Sequence, residues 1–200
     1  HATLWLQPTP GTDIYVFLAM AHVILREGWG DPAFIAARTE GYAAFASELE
    51  AYTPEVAALH SGVPAEKIEL AAKLYALGQK AAQMEIGDWR SEIEQSPISR
   101  GHSCILYAMG ITQRTNGTDL VLALANLSLL TGQIGKHGTG INPLRGQSNV
   151  QGACDLGALP NVRPGYQPVT DAAKRKAVAA GWGLDDLPPH NGLTVVEMMH

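Results

Sequence analysis

A long polar segment with very few charges carries the side chains best suited to chemistry. Residues 141–157 read INPLRGQSNVQGACDLG, and Arg145 and Asp155 are the only charged residues in this stretch. The planar guanidinium of Arg145 fits a carboxylate, and a desolvated pair of this kind contributes roughly 1.5–3 kcal/mol. Gln147 and Ser148 add amide and hydroxyl groups that suit a large polar heterocycle. We therefore predict a binding segment with a buried arginine; a loop packed by its own amides is the alternative.

Gly146 has no side chain, so a ligand can approach the backbone of this segment closely. A turn near the start of the chain shares this property. The turn PGTD at residues 10–13 is predicted to join a strand to the start of a helix. Gly11 lets a ligand approach the backbone closely, and free N–H groups at a helix N-terminus favour phosphate. The carboxylate of Asp13 could accept hydrogen bonds from the N–H groups of a base such as guanine. The competing interpretation is a helix capped by Thr12 or Asp13, without any ligand.

A second glycine turn, AMGITQ at residues 108–113, follows another predicted strand. Gly110 again allows close approach to the backbone, and the amide of Gln113 could bond the edge of a ring. An ordinary turn at the end of a strand is the alternative reading of these residues.

Composition and motif searches exclude several function classes. The net charge is −5 and the pI is about 5.8, so no basic surface indicates a nucleic-acid partner. Cys104 and Cys154 form neither a CxxC motif nor a zinc spacing, and no HxxxH or HExxH occurs; we predict no metal ligand in this chain. The apolar run at 14–25 is too short for a membrane span. P-loop, GxSxG and GxGxxG motifs are absent from the sequence.

Two strand–turn–helix units are predicted to position the glycine turns. We expect strands at 4–7 and 104–110, with the second one buried, and helices at 14–27 and 118–132. This pattern indicates the α/β class, a parallel sheet with flanking helices. In such sheets ligands bind beyond the carboxyl ends of the strands, where both glycine turns fall.

The remaining chain is predicted to be mainly helical, apart from two segments. Residues 79–102 are interpreted as a charged surface excursion, and the chain from 133 to about Val169 is expected to have little regular structure. We divide the chain into a partial α/β domain at 1–147 and the beginning of a second domain at 148–200. Further helices are predicted at 31–40, 41–51, 53–60, 63–78 and 170–181.

Several blocks of the sequence resemble one enzyme family. The run NPLRGQSNVQGACDLGALPNVRPGYQPV (142–169) closely resembles a signature of the molybdenum- or tungsten-dependent formate dehydrogenases, which belong to the molybdopterin oxidoreductases. This run points to formate, whereas the other similar blocks fit the wider family. Those blocks are RTEGY (38–42), YTPE (52–55), GVPAEKI (62–68), MGITQRTNGTD (109–119) and ANLSLLTGQIGKHGTGINP (125–143).

The resemblance implies a catalytic subunit of four α/β domains, in which two pyranopterin guanine dinucleotides chelate one Mo or W atom. Formate would be oxidised to CO2 at this metal, with Arg145 holding the carboxylate and Gln147 at the edge of the site. An Fe4S4 cluster and the cysteine or selenocysteine ligand of the metal are expected outside these 200 residues. The residues expected to line the dinucleotides are Gly11, Thr12, Asp13, Met109, Gly110, Gln113, Gly146 and Ser148.

The chain is expected to be the middle of a longer polypeptide, because both of its ends fall within apolar runs. Alone it should be inactive. Its expected partners are formate or CO2 and the rest of the catalytic polypeptide or electron-transfer subunits. The expected location is the cytoplasm, with any export signal encoded upstream.

Three other functions stay open at this point. The first is a different molybdopterin oxidoreductase acting on nitrate or another oxyanion, which the RGQ run disfavours. The second is a non-catalytic scaffold relative that has lost the metal; it would have no need for the pair Arg145 and Gln147. The third is an independent nucleotide-binding module, which would fold alone and bind a guanine nucleotide.

Overall fold

The computed structural model describes residues 2–82 and 101–199. The chain divides into two compact units, His1–Leu144 and Arg145–His200, which are described separately. Residues 83–100 of the predicted surface excursion at 79–102 lie outside the described residues. The division into domains at 1–147 and 148–200 concerns the complete protein and remains a prediction.

Helices dominate the first unit, and local capping chemistry sets where several of them begin. The Asp31 side chain accepts a hydrogen bond from the backbone N–H of Phe34 (3.0 Å), and Thr53 accepts one from Val56 (3.4 Å). Each cap is followed by a proline, whose fixed φ suits the first helical position. The helices described in this unit are α1 (Asp13–Arg26), α2 (Pro32–Arg38), α3 (Tyr42–Leu49), α4 (Pro54–Ser61), α5 (Ala65–Ala82), α6 (Met109–Thr112) and α7 (Gly117–Leu130).

The core of the first unit is built around α1. This helix contacts α3, α4, α5 and α7. Val16, Ala19, Val23 and Ile24 recur at helical spacing and are buried, the last two with no exposed surface. The partners that pack against them are also buried and apolar, among them Leu49, Ala57, Ile68, Ala72, Leu124 and Leu127.

A short parallel sheet lies in the same unit, as the sequence predicts. Strand β1 (Cys104–Tyr107) pairs in parallel with β2 (Gly140–Pro143), so that Cys104 lies opposite Gly140 and Tyr107 opposite Pro143. The backbone N–H of Leu144 continues the ladder to the carbonyl of Tyr107 (2.7 Å). The predicted α/β class is therefore confirmed, with both strands ending at the same edge.

The strands of this sheet differ from the predicted ones. Residues 4–7 pair with no strand in the part of the chain that the structure describes. Leu4 and Leu6 pack against the core and Trp5 is exposed, so the alternating pattern belongs to a single extended segment. The predicted strand at 104–110 ends at Tyr107 and is not buried, because Leu106 is 61% exposed on one of its faces. The partner of β1 comes instead from a segment predicted to be irregular.

The second unit also holds more regular structure than its sequence predicts. The segment from 133 to Val169 contributes β2 in the first unit, and then α8 (Val150–Asp155) and a hairpin of β3 (Val162–Arg163) and β4 (Gln167–Pro168) around a 3-10 turn. These elements are at most six residues long, too short to show a periodic pattern. The helices α9 (Ala172–Gly181) and α10 (Val195–Met198) follow, and Asp171 caps α9 by accepting from the backbone of Ala173 and Lys174.

Within the described ranges, the structure contains no helix that is both long enough and apolar enough to cross a membrane.

One buried polar contact in the first unit makes stability depend on pH. The Tyr75 hydroxyl of α5 and the Ser128 hydroxyl of α7 are 2.9 Å apart, and Ser128 has no exposed surface. Burial raises the pKa of Tyr75 above its ordinary value of 10.0, although the hydrogen bond to Ser128 acts in the opposite direction. The folded state therefore keeps its proton at a pH where the unfolded chain loses it. This stabilisation is complete below pH 10 and is lost as the pH rises through the folded pKa.

We expect Tyr75→Phe to lower stability by about 1 kcal/mol at neutral pH, because it removes one partner of a buried hydrogen bond. Above pH 10, exchange of the α5 and α7 amides should accelerate with pH less steeply in the variant than in the parent. Hydrogen–deuterium exchange of the full-length protein, corrected for the intrinsic rate at each pH, measures both effects. Equal pH dependences in the two proteins would contradict this role of Tyr75.

Candidate functional site

The turn before α1 has the features of an anion and base site. Gly11 has a φ of +94°, and an added Cβ would meet no atom within 4 Å. The Thr12 hydroxyl donates to the carbonyl of Thr9 (2.6 Å) and does not cap the helix. The first amides of α1 therefore have no side-chain cap, and their partial positive charge favours an anion such as a phosphate. Asp13 is the first residue of this helix.

The turn after β1 leaves space beside its backbone. Gly110 lies in α6 without a positive φ, and no atom lies within 4 Å of where its Cβ would be. Neither backbone conformation nor crowding by the described chain requires glycine at this position. Met109 is 46% exposed, and the side chain of Gln113 is exposed as well. A ligand can therefore approach Gly110, with these two side chains close to it in sequence.

An ion pair links these two turns across the first unit. Arg114 follows α6 and its Nη1 donates to Oδ2 of Asp13 at 2.5 Å, with 27% and 18% of the two side chains exposed. Oδ1 of Asp13 has no hydrogen-bond partner in the described ranges, so it can accept from a ligand. The structure thus brings the turns at 9–13 and 109–114 together, as expected for two turns that line one ligand.

The sequence reasoning missed Arg114. The sequence shows only a positive charge in the turn QRTNG and a negative charge in PGTD. Residues 4–7 join no described strand ladder, so the argument from parallel strands does not pair these charges, and their contact depends on the complete fold of the unit. The same turn is kept compact by Gly117, where a Cβ would collide with the carbonyl of Thr112.

The four remaining candidate residues begin the second unit. Arg145, Gly146, Gln147 and Ser148 are all exposed, so the prediction of a buried arginine is wrong for this stretch of chain. Nothing described in the second unit covers the guanidinium, and the side chains of Arg145 and Gln147 form no hydrogen bond or ion pair with the described residues. Their donors are therefore available to another molecule or to another part of the polypeptide.

The chain after these residues folds tightly and contains two unusual backbone conformations. Asn149 and Tyr166 have positive φ values of 56° and 58°, which cost of order 1 kcal/mol or more for residues other than glycine. The side chain of Asn149 lies against Gly152, where a Cβ would overlap with it. A hydrogen bond to Asp155 raises the pKa of the Tyr166 hydroxyl, because the carboxylate favours the protonated phenol. These contacts fix the helix and hairpin that follow Arg145.

Comparison with known proteins identifies the family of this chain. The family model described as molybdopterin oxidoreductase matches residues 1–200. The chain belongs to the molybdopterin oxidoreductase family. This confirms the resemblance seen in the sequence.

Curated relatives extend this result. The chain is 43% identical over 199 residues to the F420-dependent formate dehydrogenase subunit alpha of Methanocaldococcus jannaschii, and 45% identical over 199 residues to F420-dependent formate dehydrogenase 1 subunit alpha of Methanococcus maripaludis. It is 42% identical over 190 residues to formate dehydrogenase H of Escherichia coli. These alignments cover 95–100% of this chain and 24–26% of each relative. The chain therefore spans about a quarter of the length of the relatives it matches.

A solved structure supports the fold of the molybdopterin enzymes. Acetylene hydratase from Pelobacter acetylenicus matches with a TM-score of 0.55 and 21% sequence identity, over 68% of this chain and 16% of that protein. At this identity the match establishes the shared fold, a mixture of helices with a small parallel sheet.

The family implies a molybdopterin cofactor that carries a metal, and the first unit fits part of such a group. The uncapped N-terminus of α1 suits a phosphate, and the available Oδ1 of Asp13 suits the N–H groups of a base. Gly110 leaves room beside the backbone at the neighbouring turn. Gly11, Thr12, Asp13, Met109, Gly110 and Gln113 are the residues of this unit that we assign to cofactor binding as a proposal.

The fold of the second unit depends on the close approach of the backbone at 163–164 to Gly157, and a substitution at Gly157 tests this contact. Its φ is +83°, and a Cβ there would lie 2.7 Å from Arg163 C and from Pro164 N. Gly183 has a similar φ of +71° but no neighbour within 4 Å. We expect Gly183→Ala to cost about 1 kcal/mol for the backbone conformation alone. Gly157→Ala should cost about 3 kcal/mol or more, because the hairpin backbone must also move.

Hydrogen–deuterium exchange of the backbone amides at 157–169 and 183–187 in the full-length protein measures the two costs. Similar effects of the two substitutions would show that the close approach at Gly157 does not hold the hairpin in place.

Proposed function

We propose that this chain is part of the catalytic subunit of a formate dehydrogenase, which oxidises formate to CO2 or runs the reverse reaction. The proposal is supported by relatives of 42–45% identity that are named formate dehydrogenases. The observation that carries it is the guanidinium of Arg145, which is exposed, forms no hydrogen bond or ion pair with the described residues and begins the run RGQSNVQGACD. A one-carbon carboxylate needs few contacts, and a planar fork of N–H donors supplies two of them at once.

Arg145 would bind formate through two parallel charge-assisted hydrogen bonds to the carboxylate oxygens. This geometry fixes both the position and the rotation of the substrate, so that its C–H bond has one orientation. Gln147, two residues on, would donate from its amide to the same carboxylate or to an edge of the cofactor. The guanidinium offers only N–H donors and no acceptor, which suits a carboxylate anion.

The first unit would bind the dinucleotide end of the cofactor. The amides at the start of α1 would donate to a phosphate, and Gly11 and Gly110 would allow the backbone to approach it closely. Asp13 would accept from the N–H groups of guanine. Gly146 and Ser148 would line the cofactor from the segment that carries Arg145. When bound, the molybdenum or tungsten pterin centre supplies the site that accepts the two electrons of formate oxidation.

The remaining parts of the enzyme are proposed to lie outside this chain, which spans about a quarter of its relatives. They are the second half of the bis-guanine dinucleotide site, the cysteine or selenocysteine ligand of the metal, and an Fe4S4 cluster. Electron-transfer subunits and a cytoplasmic location belong to the same proposal.

Replacement of Arg145 by lysine tests the substrate assignment. Lysine keeps the positive charge but loses the planar fork, so kcat/KM for formate should fall by about 10- to 100-fold. Metal and pterin content of the full-length protein should stay near the parent values. Steady-state kinetics with formate, together with elemental analysis, measures both quantities.

Arg175→Lys is the matched control in the same unit. Arg175 binds Asp186 through its Nε (2.9 Å) and Nη2 (3.4 Å), so the control also replaces a carboxylate-bound arginine. It should leave kcat/KM within about twofold of the parent, because its partner is structural. Unchanged kinetics in Arg145→Lys would remove Arg145 from the substrate site.

A further inference from the structure

The ion pair between Arg114 and Asp13 occupies only part of the carboxylate. Arg114 Nη1 donates to Oδ2, and no described residue donates to Oδ1. A carboxylate has about four lone-pair positions, so about three remain for other donors. Asp13 therefore keeps most of its acceptor capacity while one of its oxygens is fixed.

Without Arg114, the carboxylate of Asp13 would have other partners nearby. Asp13 lies in the first turn of α1, whose amides receive no side-chain cap. Side-chain oxygens at helix starts readily accept from such amides. A released Asp13 could turn toward these donors, and it would then compete with any phosphate at the same place. The contact with Arg114 holds the carboxylate away from them.

The pair also balances charge at the start of α1. An unpaired carboxylate beside the start of α1 would repel a phosphate, whereas the guanidinium offsets that charge. The two side chains are 27% and 18% exposed, so the pair is partly buried and the loss of one partner also lowers stability. A role in positioning must therefore be measured by nucleotide content beside Tm.

We propose that Arg114 is a positioning residue, which orients the carboxylate of Asp13 toward the base of a dinucleotide and so favours guanine over a pyrimidine. This inference rests on the proposed function. The Watson–Crick edge of guanine presents adjacent N–H donors that match a fixed carboxylate. The corresponding edge of cytosine offers a single donor group, the N4 amine, beside the acceptors N3 and O2, so a fixed carboxylate gains fewer hydrogen bonds there and faces an adjacent acceptor.

The test uses the full-length protein produced in a host that makes the cofactor. The readout is guanine and cytosine nucleotide released by acid hydrolysis, per mole of protein, with metal content and Tm measured in parallel. Arg114→Leu should lose at least about two thirds of the guanine nucleotide. Its Tm should fall by only a few degrees, so that the protein remains folded at the temperature of the assay. Arg114→Lys should recover part of the loss, because it restores a charge but not the fixed fork.

Arg26→Leu is the matched control. Arg26 lies at the other end of α1, where it pairs with Glu27 and Glu69, each at 2.8 Å. This variant should keep the full guanine content. A loss as large as that of Arg114→Leu would overturn the inference, because any broken ion pair on α1 would then have the same effect.

Exchanging the two residues distinguishes a role of Arg114 in orienting the carboxylate from a role that only holds the two turns together. Asp13→Arg combined with Arg114→Asp keeps opposite charges on the two turns but moves the carboxylate to the other one. We expect this double variant to remain low in guanine nucleotide at an unchanged Tm. A guanine content equal to that of the parent would overturn the inference. This double variant therefore provides a test even if Arg114→Leu does not fold.

The guanine nucleotide content of the parent protein distinguishes failure of this inference from failure of the proposed function. If it contains guanine nucleotide and Arg114→Leu contains the same amount, the role of Arg114 is wrong and the proposed function stands. If the parent contains metal but no guanine nucleotide, the cofactor assignment fails and the inference fails with it.

Discussion

Burial of α1 is the constraint on which the first unit depends. Among the described elements, α3, α4, α5 and α7 pack against it, and Ala19, Val23 and Ile24 have no exposed surface. Full burial of a valine or isoleucine side chain contributes about 1.5–3 kcal/mol, so this contact stabilises the helix strongly. A helix fixed on several sides has a fixed start as well. Asp13 and the uncapped amides at the start of α1 therefore have defined positions, although the turn before them is exposed.

The small parallel sheet supplies the second element of the site. Pairing of β1 with β2 fixes the end of β1, from which α6 and Arg114 follow. Arg114 then reaches Asp13, and one ion pair joins the two glycine turns. In the second unit the glycine at 157 and the positive φ of Asn149 and Tyr166 shape the chain after Arg145. Each proposed group of ligand-binding residues thus lies beside contacts formed within its own unit.

Features governed by neighbouring residues could be predicted from the sequence. Asp31, Thr53 and Asp171 begin helices through contacts with amides two or three positions later, and those helices form as predicted. The long apolar helix at Gly117–Leu130 also forms close to its predicted range of 118–132, but here the local signal is its apolar composition, since no side chain caps it. The family could be predicted as well, since the motifs lie in contiguous runs.

Features governed by distant contacts could not be predicted. The alternation of Leu4, Trp5 and Leu6 fits both a β-strand and an extended segment that packs on a core. The two are distinguished only because no described strand pairs with these residues. Strand β2 consists of Gly-Ile-Asn-Pro, which has turn composition and becomes a strand because β1 lies beside it. Arg114 and Asp13 are 101 positions apart, so their contact depends on the complete fold of the unit.

A structure of the full-length protein loaded with its cofactor would test the central claim most directly. The deciding measurement is the distance from Oδ1 of Asp13 to the nearest nitrogen of a guanine ring. We expect about 2.7–3.1 Å, with Arg114 still bound to the other carboxylate oxygen. A guanine bound elsewhere, with Asp13 and Arg114 facing only polypeptide or solvent, would contradict the proposed site.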